Sequence, residues 1–453
     1  MTSSKKLSRG LKFRDNAWLP APRLLILLLI GILFTGWGVA IGYDLLFFAL
    51  YNGALLVLIL IEVRFLRFTS SLYVERISEP FLEIALDNKV QLVITNSLQV
   101  PLHGELRDDY PEGFQVNQRT LRFRVPPRAK ECVQYFCRPH RRGEHRFGKI
   151  HLRVYGYLGL LIRQRAIEAQ ETKRVYPKLT EVRRIRGGIY RKALSLDGSH
   201  SLQGLGRGWE FSHLREYIPD DEPRLINWTV TARRGHLVTN VYQPEKGQQI
   251  AILIDCGRVM GIHQDGQTKL DRALEAALVF AAMAIERGDQ VSLIACSNRI
   301  KSIVPLGKGE GHLQRIIEAT YNLEPDFVET DYRSAIESLI LRNKRRSLVA
   351  IFTDGSNLTF ADELVKYMRI LQRRHLVMTV SMQDHRLESD ARKWPINEQE
   401  VFHKAIAQQL TLEREEKLYH LRRRGIIVLD VPPDQLATAV IHKYIEIKNR
   451  ALL

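Results

Sequence analysis

Two aspartates stand at the ends of strongly apolar runs and could act together. The stretch Ile250 to Met260 reads Ile-Ala-Ile-Leu-Ile-Asp-Cys-Gly-Arg-Val-Met, an unbroken apolar run that stops at Asp255. Ser347 to Phe352 is a second run of this kind, followed by Thr353, Asp354 and Gly355. Such runs suit strands buried on both faces of a parallel sheet. A carboxylate at the carboxyl end of a parallel strand sits where open α/β sheets bind ligands. Two of them together can hold a divalent cation, for recognition or for hydrolysis of a phosphate ester. Other chemistries lack their residues, because the sequence contains no Gly-x-Ser-x-Gly elbow, no His-Glu-x-x-His and no Walker A sequence.

The elements needed to position these aspartates are legible around them. After Asp255, Leu270, Ala273, Leu274, Ala277, Leu278, Ala281 and Ile285 recur at helical spacing, and Gly288 supplies a stop. Strands are expected at Val291 to Ala295 and around Ile300 to Pro305, then a helix from Tyr332 to Leu341. Beyond the Ser347 strand come a helix near Ala361 to Arg373, a strand Leu376 to Val380 and a long polar helix from Glu398 to Arg424. A strand Ile426 to Val431 and a helix from about Pro433 follow. This alternation predicts an α/β doubly wound domain over residues 249–453.

Upstream, residues 67–176 read as an antiparallel β-sandwich domain. Short runs at Val90 to Thr95, Leu121 to Val125, Cys132 to Cys137 and Ile150 to Val154 are separated by turn residues. His140, His145 and His151 lack metal-ligand spacing and read as solvated hairpin residues. Cys132 and Cys137 are an odd number of residues apart, which on a strand places them on opposite faces, so free thiols are expected. Residues 177–248 form a connecting region. Its stretch Gly204-Leu205-Gly206-Arg207-Gly208 is glycine-rich, but neither a following Lys-Ser or Lys-Thr nor a clear preceding strand marks a P-loop. Close backbone packing is expected there, with Trp209, Phe211 and Trp228 as buried anchors.

The amino-terminal segment is of another kind. Residues 1–23 carry Lys5, Lys6, Arg9, Lys12, Arg14 and Arg23 and read as a basic cytosolic tail. Residues 24–66 hold two apolar runs, Leu24 to Ile41 and Leu45 to Ile61, broken by Gly42, Tyr43 and Asp44. Each is long enough to cross a bilayer, and a second span directly after the first argues for a transmembrane helical hairpin over a signal peptide. Basic residues precede the first span, and Arg64, Arg67 and Arg76 follow the second, so both ends are expected on the cytoplasmic side of a bacterial inner membrane. The formal charge of +17 favours an anionic partner or surface. No nucleic-acid-binding module accompanies it, so nucleic acid is not an expected partner.

Gly206-Arg207-Gly208-Trp209-Glu210-Phe211, Leu214-Arg215-Glu216-Tyr217, Asp220-Asp221, Arg224-Leu225-Ile226-Asn227-Trp228 and Ala232-Arg233, with the strand to Asp255, form a long linear signature. It resembles that of the bacterial domain of unknown function 58 family, and Gly206, Gly208, Glu210, Arg215, Tyr217, Arg224, Trp228 and Arg233 are its structural residues. The resemblance implies a membrane hairpin, a β-domain and a von Willebrand factor A-like domain. It also implies partnership with a MoxR-type AAA+ ATPase, and a metal-ion-dependent adhesion site. On this chain that site maps to Asp255, Gly257 and Val259, then Thr330, then Asp354.

Both serine positions of that adhesion site are lost here. Asp255, Thr330 and Asp354, helped by Asp331 or Ser356, are what remains to hold Mg2+. Without metal, Asp255 and Asp354 serve as caps at the sheet edge. The expectation is therefore a membrane-anchored, non-enzymatic adaptor with Asp255, Gly257, Thr330 and Asp354 at its contact. The alternative is a metal-assisted phosphohydrolase at the Asp255 and Asp354 edge, and a third reading is a charge-driven surface binder.

Overall fold

The computed structural model describes residues 16–68, 72–187, 209–219, 221–244, 247–264, 266–354, 362–450 and 452. The chain divides into two compact units, Met1–Val175 and Tyr176–Leu453.

In the first unit, helices Pro22–Ile41 and Asp44–Phe68 are joined at Gly42, whose φ of 82° suits glycine. Both are long and apolar enough to cross a membrane. They approach closely where glycine removes a side chain. A Cβ on Gly31 would lie 2.5 Å from the Tyr51 ring, and one on Gly38 would lie 2.7 Å from Phe47. The Tyr51 hydroxyl donates to Leu27 O at 2.5 Å, and residues such as Leu29, Ile32, Leu33, Leu45 and Leu50 face outward.

The strands of this unit form a five-stranded, a four-stranded and a three-stranded sheet among the described residues, each antiparallel where its pairing is resolved. Strand Leu121–Val125 shows the logic. Leu121, Phe123 and Val125 are buried and the arginines between them are exposed. These residues join Val90, Leu92 and Ile94 of another sheet, with Ile150 and Leu152, in one core. Within it Arg76 pairs with Asp108 at 2.5 Å, and Tyr135 donates to the same carboxylate at 2.6 Å.

Cys132 is exposed and Cys137 buried, both free, as their odd spacing requires. Burial pushes the Cys137 thiol up to about 12. The histidines are less solvated than expected, and His145 packs edge-on against Phe114 at 5.1 Å. One strand runs through the stretch expected to be tail. Asn16–Pro20 pairs antiparallel with Leu161–Ile167 at a sheet edge, a place that tolerates proline.

The second unit is built on a six-stranded sheet ordered Ile300–Gly307, Gln290–Cys296, Gln249–Asp255, Ser347–Phe352, Leu376–Met382, Ile427–Val431. Its pairings are parallel except at the Ile300–Gly307 edge, where the turn from Cys296 is too short for a parallel crossover. The strand order reverses between Gln249–Asp255 and Ser347–Phe352. Helices Lys269–Glu286, Tyr332–Arg342, Asp362–Gln372, Glu398–Arg423 and Leu436–Asn449 fall where periodicity places them. Helices Glu310–Thr320 and His385–Arg392 were not expected.

The connecting region also departs from expectation. Strand Trp209–Glu216 begins directly after the glycine-rich stretch and pairs with Val238–Pro244 as a hairpin. Phe211 and Trp228, expected as buried anchors, are 51% and 66% exposed. They lie on a two-stranded sheet and a seven-residue helix, which bury little. The side chain of Trp209 lies outside the described residues.

Candidate functional site at the carboxyl edge of the sheet

Asp255 and Asp354 meet the same sheet edge at the point where strand order reverses, the place at which doubly wound sheets bind ligands. Both are buried, at 0% and 1% exposure, so neither carboxylate can touch a partner directly.

Asp255 accepts from four neutral donors. Its Oδ1 accepts from Gly257 N at 2.8 Å and from the Thr330 hydroxyl. Its Oδ2 accepts from the Tyr332 hydroxyl at 2.6 Å and from Thr353 Oγ1 at 2.8 Å. Burial, followed by the Asp255 charge, pushes the Tyr332 phenol well above its ordinary value and keeps it a donor. The same causes raise the buried Cys296 thiol. Gly257 has no room to be anything else, since a Cβ there would collide with the Thr330 hydroxyl.

Asp354 has a cationic partner. Lys269, the first residue of helix Lys269–Glu286, places its Nζ 2.6 Å from Asp354 Oδ2 and 3.8 Å from Asp384 Oδ2. The Lys269 and Asp354 side chains are 3% and 2% exposed. The expected donor set does not fit Mg2+. An octahedral ion needs convergent oxygens with free lone pairs. Here Asp255 accepts four hydrogen bonds and Asp354 faces an ammonium group. Among the described residues no cluster of three or more His, Cys, Asp or Glu is placed to hold a metal. Asp331 caps helix Tyr332–Arg342 through Arg333 N and also accepts from Ser334, while Ser356 lies outside the described residues.

The edge also exposes apolar side chains. The loop Pro325 to Thr330 is clamped by Asp326 N to Cys256 O at 2.8 Å and by Arg258 N to Val328 O at 2.9 Å. Asp326 also takes Ser297 Oγ at 2.6 Å and Lys301 Nζ at 2.8 Å. Burial opposes its ionisation, but these two donors hold its carboxyl below the usual range. On this fixed loop Phe327 is 90% exposed and Val328 39%. Arg258 and Glu329, 3.3 Å apart, add an exposed ion pair.

The structure brings Asp255 and Thr330 into contact and sets Asp354 on the same edge, and it adds Lys269, Tyr332, Thr353 and Phe327, which the sequence analysis did not single out. Lys269 did carry a signal, because a lysine in a helix's first turn opposes the macrodipole unless a carboxylate meets it.

The signature residues build a separate feature. Arg215 pairs with Asp221 at 2.5 Å, the Tyr217 hydroxyl donates to Asp221 O, and Asn227 caps helix Trp228–Arg234. Arg224, Trp228 and Arg233 are exposed. Gly206, Gly208, Asp220 and the side chain of Glu210 lie outside the described residues.

Comparison with known proteins yields relatives without assigned roles. The chain is 24% identical to the uncharacterized protein Mb1516 of Mycobacterium bovis over 42% of its own length and 60% of that protein's. It is 22% identical to the uncharacterized protein YeaD of Bacillus subtilis over 55% of its own length and 62% of that protein's. The chain therefore spans about three fifths of the length of these relatives. Among solved structures, proximal thread matrix protein 1 from the mussel byssus is similar at 12% identity, covering 45% of this chain and 46% of that one, with a TM-score of 0.27. Residues 213–390 match the family model described as "Protein of unknown function DUF58".

Proposed function

We infer that this protein is a membrane-anchored interaction module, not an enzyme, and that it docks a partner on the rim of the sheet's carboxyl edge. One observation carries the reading. The polar groups at the strand-order reversal are consumed by one another, while Phe327 stands 90% exposed on a clamped loop above them. A buried aspartate already holding hydroxyls or an ammonium is poorly disposed to activate water, so the phosphohydrolase reading finds no open carboxylate. An aromatic side chain held out by a rigid loop suits an interface anchor.

The order of strands and the Asp255, Thr330 and Asp354 positions support a von Willebrand factor A-like domain whose adhesion site works without metal. The family resemblance makes a MoxR-type AAA+ ATPase the proposed partner. The two apolar helices would hold the module at a bacterial inner membrane. Arg23, Arg64 and Arg67 flank the spans and favour a cytoplasmic position for both ends.

Affinity capture of the full-length protein from solubilised membranes tests this. An AAA+ ATPase should co-purify, equally with magnesium or with a chelator. Phe327→Ala should weaken capture by roughly 30-fold, the size of a buried aromatic anchor's contribution. Failure to recover an ATPase under any condition rejects the proposed partner. Chelator-sensitive capture rejects the metal-free site.

A further inference from the structure

The base of the helical hairpin gathers features that partner docking does not use. Ile26 and Leu27 of the first helix, Leu58 of the second, and Leu158 and Leu160 of a turn line an open apolar groove of about 350 Å3, with Arg23 at its rim. Arg23 is exposed and spends one N–H on Leu158 O at 3.1 Å, leaving donors to spare.

The turn is fixed to the helices. Ala21 N donates to Leu160 O at 2.8 Å, and Leu160 N meets both oxygens of buried Glu62 at 2.9 and 3.0 Å. Gly156 leaves no space for a Cβ beside that carboxylate. Tyr157, 72% exposed, lies against Phe65 with ring centroids 6.2 Å apart. Exposed aromatics at the foot of an apolar helix are typical of the membrane–water interface.

A cluster of like charges adjoins this foot. Arg67 is in the last turn of the second helix, and Arg163 and Arg165 share a face of the strand paired with Asn16–Pro20. The Arg163 guanidinium stacks on the Trp18 ring at 4.4 Å, and among the described residues no carboxylate pairs with it. Burial and then the charges of Arg165 and Arg67 pull Arg163 below its ordinary value, a penalty that a bound anion would relieve.

We propose that the base of the hairpin binds an anionic glycerophospholipid. An acyl chain lies in the Leu58–Leu158 groove and the headgroup phosphate is taken by Arg23. Arg67, Arg163 and Arg165 supply the field that selects negative headgroups. The proposal rests on the reading of the two helices as a membrane hairpin. The acyl groove ties the site to lipid, since a free phosphate would use only the arginines.

Full-length protein, delipidated in a neutral detergent, is titrated with dioctanoyl phosphatidylglycerol or dioctanoyl phosphatidylcholine, and bound lipid is followed by native mass spectrometry. Phosphatidylglycerol should bind about tenfold more tightly or better. The Arg163→Gln/Arg165→Gln variant should lower its affinity about 30-fold and leave phosphatidylcholine unchanged. Arg163→Lys/Arg165→Lys keeps the charge, should bind phosphatidylglycerol as the native chain does, and controls for folding. Leu58→Trp, which fills the groove, should weaken both lipids.

Equal affinity for the two lipids overturns the proposal, and so does inorganic phosphate binding as tightly as phosphatidylglycerol. Alkaline carbonate extraction of cell membranes separates the two readings. Release of the protein rejects the hairpin itself, whereas retention without headgroup preference rejects only the lipid site.

Discussion

At the scale of single residues, the pairing of Lys269 with Asp354 is the most consequential feature of the sheet edge. Removing one member of a buried ion pair strands the other, at a cost of about 3–5 kcal/mol, whereas replacing both with neutral groups of similar size is often nearly neutral. Lys269→Met should therefore destabilise the second unit by about that amount, and Lys269→Met/Asp354→Asn should recover most of it. Equilibrium unfolding of the purified protein checks both, and a double variant no better than the single would show that the pair is not coupled. The sequence made Asp255 and Asp354 visible because each interrupts an apolar run. It hid Tyr332 and Lys269 as their partners, because hydrogen-bond geometry across 77 and 85 residues leaves no periodic trace.

At the scale of elements, periodicity served where apolar residues recur without interruption and failed where glycines or polar residues break the pattern. Helix Lys269–Glu286 announces itself through apolar residues on the face it buries, and its capping box of Thr268 and Asp271 fixes its start. Helix Glu310–Thr320, as long as Tyr332–Arg342, opens between Gly309 and Gly311, which read as a loop, and His385–Arg392 has eight residues with Leu387 as its one large apolar side chain. The junction between helix Asp362–Gln372 and strand Leu376–Met382 holds a pH-sensitive group. His375 is 5% exposed, and neither ring nitrogen has a hydrogen-bond partner among the described residues. Burial, then the Arg374 charge, lowers its affinity for protons, so the folded chain favours neutral imidazole.

The sign of the effect follows directly. Stability is complete above the unfolded value of about 6.5 and is lost as pH falls below it, because the unfolded chain takes up the proton first. The thermal midpoint should therefore drop between pH of about 7.5 and about 5.5, and His375→Leu should shrink that drop. An unchanged slope in the variant would assign the loss to other groups.

At the scale of the whole molecule, both units were legible as folding patterns, but some joints inside them were not. The strand Asn16–Pro20 reads Asn-Ala-Trp-Leu-Pro, with no apolar–polar alternation, and it is recognisable only by its pairing with Leu161–Ile167. The same is true of the buried carboxylate Glu62, which stands near the end of an apolar helix and accepts from Leu160 N on the β-domain side. Glu62→Ala should loosen the 156–160 turn and expose it to limited proteolysis in detergent, while Glu62→Gln, which can still accept, should protect it. Equal resistance in both variants would show that the turn is held by other contacts.

Helix Glu398–Arg423 adds a second consequence of size. Its 26 residues extend roughly 39 Å, whereas the seven-residue neighbouring strand extends roughly 23 Å. Only Ala407, Leu418 and Leu421 along it are buried, and Phe402 and Ile406 in its first half are exposed.

The ammonium group beside Asp354 has a bearing on control. A countercharge carried by a side chain travels with the chain and cannot be diluted, chelated or exchanged for another ion. An edge neutralised in this way keeps its charge balance whatever the concentration of free divalent ions around it.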